Sequence, residues 1–379
     1  MVMGFSVGVA FGLLDNTGVA RPRQPGVHNP ALLLKTNPTF AGFARQEFSA
    51  KFSSAAEPPS SPVPVLPTAQ ALAYQKMAGQ NQLSPGKRLR QTWAAAPVAI
   101  PGAFNALTAK LAERLGFRAV YLSGGALSAA SGVPDIGLLT RTEFADEARR
   151  LVAATSLPLL VDADTGFGEV LNVERTVFEL ESAGAAGIHL EDQQFPKKCG
   201  HLSGKSLVEA DAFAAKIRAA VAAKRDPDFV IIARTDARGV TSFDDAVRRA
   251  QLYLKAGADA IFPEALESAD EFERFAREVP APLLANMTEF GKGPLLSVAA
   301  LGGMGYRLVI FPLTAFRAAM RAAEETLADL HRLGTQANSL PRMQTRAELY
   351  DLLGYAGYEQ RDRSYLGETP PPRPDQGRP

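Results

Sequence analysis

Cysteine occurs once in the 379 residues of this sequence. A lone thiol cannot close an internal disulfide, nor by itself hold a structural zinc ion, so the fold rests on packing alone and suits a reducing compartment. Neither sign of charge is in surplus, with 41 Lys and Arg against 40 Asp and Glu. No dense basic stripe with interleaved aromatics is present, and nucleic acid is excluded as the expected partner. Long hydrophobic runs are missing too: nothing nears the ~18 to 20 uninterrupted apolar residues of a membrane span. The apolar opening "MVMGFSVGVAFGLLDNTG" lacks the basic start and the cleavage pattern of a secretory signal. What remains, 46% hydrophobic and 21% charged, is the composition of an ordinary soluble globular protein, expected as one large domain with appendages.

Residues 1–80 are poor in acidic residues, contain "RPRQPGVHNP" and "AAEPPSSPVPVLPTAQ", and sustain no period of 2 or 3.6. Such a stretch cannot bury enough apolar surface to offset its ordering entropy, so a disordered extension is expected. Its pattern "FARQEFSAKFSSAA" also suits an organellar transit peptide. The expected location is the cytoplasm, with the mitochondrial matrix as the alternative if the extension is such an address. From Ser84, "SPGKRLRQTW" reads as the start of a fold, and residues 335–379 as a C-terminal helical segment with a Pro-rich tail.

Between these ends, over 81–334, eight short apolar runs alternate with amphipathic stretches. The runs are "VAIPGAF", "AVYLSG", "LPLLVDADTGFG", "GIHLEDQ", "FVIIARTDA", "DAIFPEA", "PLLANMTEF" and "RLVIFPLTAF". Near-continuously apolar strands separated by helices imply a parallel sheet covered on both faces. Eight units match a (β/α)8 barrel, typically ~250 residues. An open doubly wound sheet would want a glycine-rich phosphate fingerprint after its first strand, and "PGAFNAL" is not one. Where the runs stop stand Ser123, Asp162, Asp164, Glu191, Asp192, Arg234, Asp236, Glu264, Asn286 and Thr288. In a barrel these converge on the C-terminal rim, where this fold does its chemistry.

Asp162 and Asp164, two apart at a strand end, share one face, and hard oxygens so placed suit Mg²⁺. A pair that merely caps the next helix is the alternative, but the slim "GFG" that follows and the added carboxylates of Glu191 and Asp192 favour metal. Cys199 lies between Lys197, Lys198 and His201, whose charges lower a thiol from its usual ~8.5. Charged and glycine neighbours are wrong for an inert core cysteine, so Cys199 reads as a nucleophile or an acid. Arg234 offers a planar fork for a carboxylate or phosphate, or a structural ion pair with Asp236 or Glu264, and the segment leaves both open. Tyr121, Ser123, Gly124 and Gly125 follow the second strand, where backbone amides can hold an anion. Arg317 and Arg346 are further cations beyond the eighth strand, each by itself an ordinary solvated helix residue.

In this order, "VDADTGFG", "LEDQ", "KKCGH", "ARTDA", "FPEA", "ANMTEFG" and "MQTR" resemble the isocitrate lyase and phosphoenolpyruvate mutase superfamily across residues 84–365. The likeness is strongest to its methylisocitrate branch. The resemblance implies a (β/α)8 barrel whose last helix exchanges between subunits of a homotetramer, and Mg²⁺-dependent splitting of carbon–carbon bonds in hydroxy di- or tricarboxylates, with Mn²⁺ as a possible substitute. By motif it implies Asp162, Asp164 and Asp135 near the metal, beside Glu191. Cys199 would be the catalytic acid, sharing a loop with Lys197, Gly200 and His201. Ser123, Gly124, Gly125, Arg234, Glu264, Asn286, Thr288, Arg317 and Arg346 would contact substrate, and Tyr121 is the candidate base. The expected reaction is retro-aldol cleavage of 2-methylisocitrate to pyruvate and succinate in propionate breakdown. Isocitrate, 2,3-dimethylmalate and oxaloacetate are alternative substrates, and a noncatalytic metabolite-binding barrel is the alternative of another class.

Overall fold

The computed structural model describes residues 83–198, 200 and 204–367. The expected extension over 1–80, the end of the Pro-rich tail, Cys199 and His201 lie outside the described residues.

Ser84 opens the first helix of the described residues. Its side chain accepts a hydrogen bond from the Lys87 amide at 3.2 Å, and Pro85 stands at the first helical position, where its fixed φ is already helical. This helix, α1, spans Pro85–Ala95. Leu89 and Trp93, four residues apart on one face, are buried among the side chains that fill the barrel interior. Arg90 pairs with Asp259 at 2.8 Å and donates to the Asp228 carbonyl at 2.8 Å. Those residues precede two strands, so α1 closes the N-terminal end of the barrel.

The strands are β1 (Val98–Pro101), β2 (Val120–Leu122), β3 (Leu159–Asp162), β4 (Gly187–Glu191), β5 (Val230–Thr235), β6 (Ala260–Pro263), β7 (Leu283–Asn286) and β8 (Tyr306–Phe311). Between them run α2 (Ala106–Arg114), α3 (Gly124–Ala130), α4 (Arg141–Ala154), α5 (Val170–Ser182), α6 (Ala210–Ala223), α7 (Ala237–Val240), α8 (Phe243–Lys255), α9 (Ala269–Glu278) and α10 (Val298–Gly303). The eight strands form one sheet in the order β1-β8-β7-β6-β5-β4-β3-β2, every strand-to-strand pair parallel. A parallel bridge between Gly102 and Tyr121 brings β1 beside β2 and closes the ring. This is the expected (β/α)8 barrel.

Period-2 alternation sorts the strand side chains into two cores. Ile100, Tyr121, Leu160, Ile232, Phe262, Leu284 and Ile310 point inward with Leu89 and Trp93. Val120, Val161, Ile188, Leu190, Ile231, Ala233 and Ile261 point outward against the helices. Continued to the strand ends, the inward series reaches Ser123, Asp162, Glu191, Arg234, Glu264 and Asn286.

Beyond β8 come α11 (Thr314–Leu333), a short 3-10 segment (Ala337–Arg342), α12 (Arg346–Leu353) and α13 (Tyr355–Tyr365). α11 stops at Gly334, whose φ of 64° only glycine takes up without strain. Its 20 residues include no buried side chain. No helix among the described residues is long and apolar enough to cross a membrane.

Candidate active site

A cavity opens at the C-terminal end of the strands. Tyr121, Ser123, Gly125, Asp135, Asp162, Glu191, Lys197, Gly200, Arg234, Glu264, Asn286 and Thr288 line it, with Phe262, Ile310, Pro312 and Leu313 as an apolar wall. Most of the residues singled out in the sequence therefore meet at one mouth.

Asp162 ends β3 and is held from several sides. Its Oδ2 accepts from the Gly124 amide at 3.1 Å and lies 3.4 Å from the Tyr121 hydroxyl, and its Oδ1 accepts from the Asp164 amide at 3.0 Å. The Gly124 amide expected for an anionic ligand is thus already engaged by a carboxylate. Burial pushes Asp162 up, but the charges of His189, Lys197 and Arg234 outweigh it and hold the carboxyl down at about 2. For Asp164 burial prevails over Lys197 and, helped by the Asp162 charge, raises it to about 7. Two carboxylates at one site move apart in this way because the first to ionise opposes the second.

Lys197 supplies the positive charge at the centre. Its ammonium touches Asp135 and lies 2.7 Å from Asp164 Oδ1, with only 3% of the side chain exposed. Burial alone would lower Lys197; Asp164, Glu191, Asp162 and Asp135 together hold it well above its ordinary value. Gln193 fixes the chain here by accepting from the Lys198 amide at 2.9 Å and donating to its carbonyl at 2.8 Å. The excursion that began after β4 is tied at its base by an antiparallel bridge between Gln193 and Leu207. Lys198 and Gly200 line the cavity. A Cβ on Gly200 would sit 2.5 Å from the Arg234 guanidinium and 2.7 Å from Glu264, an approach only glycine permits.

Arg234, at the inward end of β5, makes the structural ion pairs that its segment allowed. Nε and Nη2 grip Asp236 at 2.9 and 3.1 Å, while Nη1 faces Glu191 at 3.3 Å and Glu264 at 3.7 Å. The guanidinium stacks 5.0 Å from the Phe262 ring centroid. Asp236 is also gripped by Lys205 at 2.6 Å, and Lys205 donates to the Gly200 carbonyl. Asn286 donates to Glu264 at 3.3 Å and accepts from Thr288 at 2.6 Å.

Asp192 departs from the expectation of a metal-side carboxylate. As the neighbour of inward Glu191 it faces outward, where Thr235 and Tyr253 hydroxyls at 2.8 Å, the Arg249 guanidinium at 3.2 Å and the Asp236 amide at 2.9 Å occupy it. Arg317 lies apart from the cavity lining, 3.7 Å from Glu289 and beside the Phe290 ring. Arg346 is the exposed first residue of α12.

His189 was not singled out in the sequence, where it reads as one polar letter in an apolar run. Fully buried on β4, it places Nε2 2.8 Å from the Tyr121 hydroxyl and 3.6 Å from Asp162. Burial lowers it to about 4, so it is a neutral imidazole at pH 7 and its charge acts on Asp162 only in acid.

The phosphoenolpyruvate phosphomutase family model matches residues 88–331. The chain belongs to the phosphoenolpyruvate mutase/isocitrate lyase superfamily. It is 55% identical over 265 residues to the 2-methylisocitrate lyase of Aeropyrum pernix, covering 70% of this chain and 85% of that one. Among solved structures it resembles a 2,3-dimethylmalate lyase of the superfamily, with a TM-score of 0.71, 32% identity and coverage of 76% and 100%. A phosphonopyruvate hydrolase complexed with oxalate and Mg²⁺ aligns with a TM-score of 0.69, 34% identity and coverage of 75% and 100%. This superfamily member is an enzyme of the carbon–carbon lyase type.

The donor set at the mouth fits a magnesium ion. It is all oxygen, it surrounds a cationic ammonium, and Glu191 keeps one buried carboxylate oxygen with no hydrogen-bond partner among the described residues. Among the described residues no three acidic, His or Cys side chains are gathered closely enough to hold an ion by themselves.

Proposed function

We propose that the chain cleaves 2-methylisocitrate to pyruvate and succinate, using Mg²⁺ with Mn²⁺ as a substitute. The observation that carries this reading is the meeting of Asp162, Asp164 and Asp135 with Lys197 and Arg234 at one barrel mouth, bordered by the residues on either side of Cys199. Identity of 55% to a 2-methylisocitrate lyase supports the substrate. Ile310, Pro312 and Leu313 offer an apolar wall for its methyl group.

Asp162, Asp164, Asp135 and Glu191 would hold the ion. The chemistry it supplies is polarisation of the oxygen that becomes the pyruvate carbonyl. Arg234 Nη1, with Asn286 and Thr288, binds substrate carboxylates and steadies the charge that grows on one of them. Tyr121 takes the hydroxyl proton. Burial and then the Asp162 charge drive its phenol well above the ordinary value, so it stays protonated and accepts only while passing its own proton to His189 Nε2. The O–H electron pair becomes the new carbonyl bond, and the carbon–carbon pair retreats onto the succinate carbon and its carboxylate. Cys199 then protonates that carbon and regains its proton from solvent, while His189 returns the substrate's proton to solvent through Tyr121.

Parallel assays of pyruvate or glyoxylate release from methylisocitrate, isocitrate and dimethylmalate, and of oxaloacetate hydrolysis, test the substrate. A methyl group is worth only ~1 to 3 kcal/mol of discrimination, so methylisocitrate should lead by about 10- to 200-fold in kcat/KM; a lead by another compound refutes the choice. Cys199→Ser should lower kcat by about 10²- to 10⁴-fold, the usual range for losing an acid catalyst. Near-normal turnover would remove the thiol from the mechanism.

We also propose that the chain assembles as a homotetramer by exchanging its C-terminal helices. α11 leaves Met320, Leu327, Leu330 and Leu333 exposed, and an apolar hollow lies beside β1 and α2, walled by Pro101, Leu111, Leu115, Phe117 and Phe311.

A further inference from the structure

Directly after β3 the backbone follows a course that L side chains avoid. Asp164 has φ 45°, Gly166 92°, Phe167 57° and Gly168 140°, so four of five consecutive residues lie in the left-handed region or beyond it. The carbonyls of such a turn cannot pair along a helix or strand, and buried ones need donors from elsewhere. Glu191 donates its amide to the Asp164 carbonyl at 2.9 Å, and the Thr176 hydroxyl serves the Gly166 carbonyl at 3.0 Å. Two more face a single side chain: Lys216 Nζ lies 2.7 Å from the Gly168 carbonyl and 3.5 Å from that of Thr165.

Lys216 stands in α6 among Phe213, Ala214, Ile217 and Ala220, all buried, and is itself only 6% exposed. Its carboxylate neighbour, Glu169, is 3.8 Å away with a side chain 87% exposed. Burial lowers the ammonium below its ordinary value. Backbone oxygens of the turn, more than any counter-charge, hold this cation in place.

We infer that Lys216 is a positioning residue: by clamping the carbonyls at 165 and 168 it fixes the 164–168 turn, aims the Asp164 carboxylate into the mouth, and so sets the affinity for the divalent cation. The inference rests on the metal-binding reading of Asp164 for its consequence, though not for the clamp itself.

Two variants of the full chain test it, Lys216→Met, which keeps the bulk of the stem without its charge, and Lys216→Arg, which restores a cationic donor. Mg²⁺ binding without substrate is measured by calorimetry, and hydrogen exchange is followed at the Gly166 and Glu191 amides, which donate to Ala163 at 2.8 Å and Asp164 at 2.9 Å. Lys216→Met should weaken Mg²⁺ binding at least tenfold and speed exchange at both amides by a similar factor, and Lys216→Arg should stay within threefold of the wild type in both. An exchange profile of Lys216→Met identical to the wild type overturns the clamp, as does an arginine variant no better than methionine. Unchanged Mg²⁺ affinity with faster exchange overturns the link from clamp to metal. A wild type that binds no Mg²⁺ sinks the metal reading, and the exchange comparison still decides the clamp. If Lys216→Met does not fold, Thr176→Val removes a donor to the same turn and must shift affinity and exchange in the same direction; failure of both to move overturns the inference.

Discussion

Arg234 divides one guanidinium between a two-bond grip on Asp236 and an edge that faces Glu191 and Glu264 in the mouth, and only the planar fork can do both. Arg234→Lys would place a point charge where two parallel bonds to Asp236 now run. It is expected to lower kcat/KM at least 100-fold while the circular dichroism spectrum persists; activity within tenfold would mean that charge alone suffices. The adjacent carboxylates of β4 and its exit allow a sharper contrast. Asp192→Asn presents an amide to four donors in the outer layer and should cost about 1 to 3 kcal/mol of stability, leaving Mg²⁺ affinity near normal. Glu191→Gln should do the reverse, and calorimetry with denaturant melts separates them. The letters "ED" at a strand end announce two carboxylates at the rim, yet period-2 alternation admits only one to the mouth, and Asp192 is the one excluded. His189 and Lys216 carry no such announcement. A buried imidazole and a buried ammonium look in one dimension like interruptions of an apolar pattern, because the carbonyls and hydroxyls that satisfy them come from other elements.

Elements were far more legible. Each of the eight apolar runs holds one strand, since both faces of a barrel strand are covered and the apolar signal is nearly continuous. The start at Ser84 was legible as well, from a capping serine followed by proline, but nothing local reveals that α1 plugs a barrel. That role implies a test. Leu89→Ala empties a site with no exposure and should destabilise the fold by about 2 to 5 kcal/mol, with kcat per folded molecule unchanged because the mouth lies at the opposite end. A second tie joins α4 to α5, where Glu179 accepts from Arg141 at 2.7 Å and pairs with Arg175 across one turn. Burial raises Glu179, but hydrogen bonds from Arg175 and Arg141 prevail and hold it below its ordinary 4.5. Since the folded form binds its proton less readily, this contribution is present above the ordinary value of 4.5 and is lost as pH falls through the folded value. The stability gap between wild type and Glu179→Gln should therefore be visible in urea melts at pH 7 and shrink steadily below pH 4.5. A gap that widens in acid would refute the tie.

For the molecule as a whole, the two apolar cores account for the barrel, but no side chain of α11 is buried in them; Arg342 pairs with Glu325 at 3.4 Å and Asp329 at 3.6 Å, while the apolar residues of the helix stay exposed. Met320, Leu327, Leu330 and Leu333 recur at spacings of seven, three and three, the spacing of one helical stripe. A stripe of that kind is costly to leave in water, and a soluble chain normally covers it. The hollow by Leu111, Leu115 and Phe117 has the matching chemistry, being almost wholly apolar, and it flanks the start of α11 at Thr314 and Ala318. A second copy that sets its α11 in such a hollow would cover both surfaces at once, and repetition of the contact builds a closed assembly. Light scattering of the full chain is then expected to give four times the 40.4 kDa of one chain. Replacing Leu327 and Leu330 together by Glu places two charges in that contact and should yield smaller species with barrel circular dichroism retained. A wild type that runs as a monomer at micromolar concentration would sink the assembly, and a double variant that stays tetrameric would move the interface away from α11.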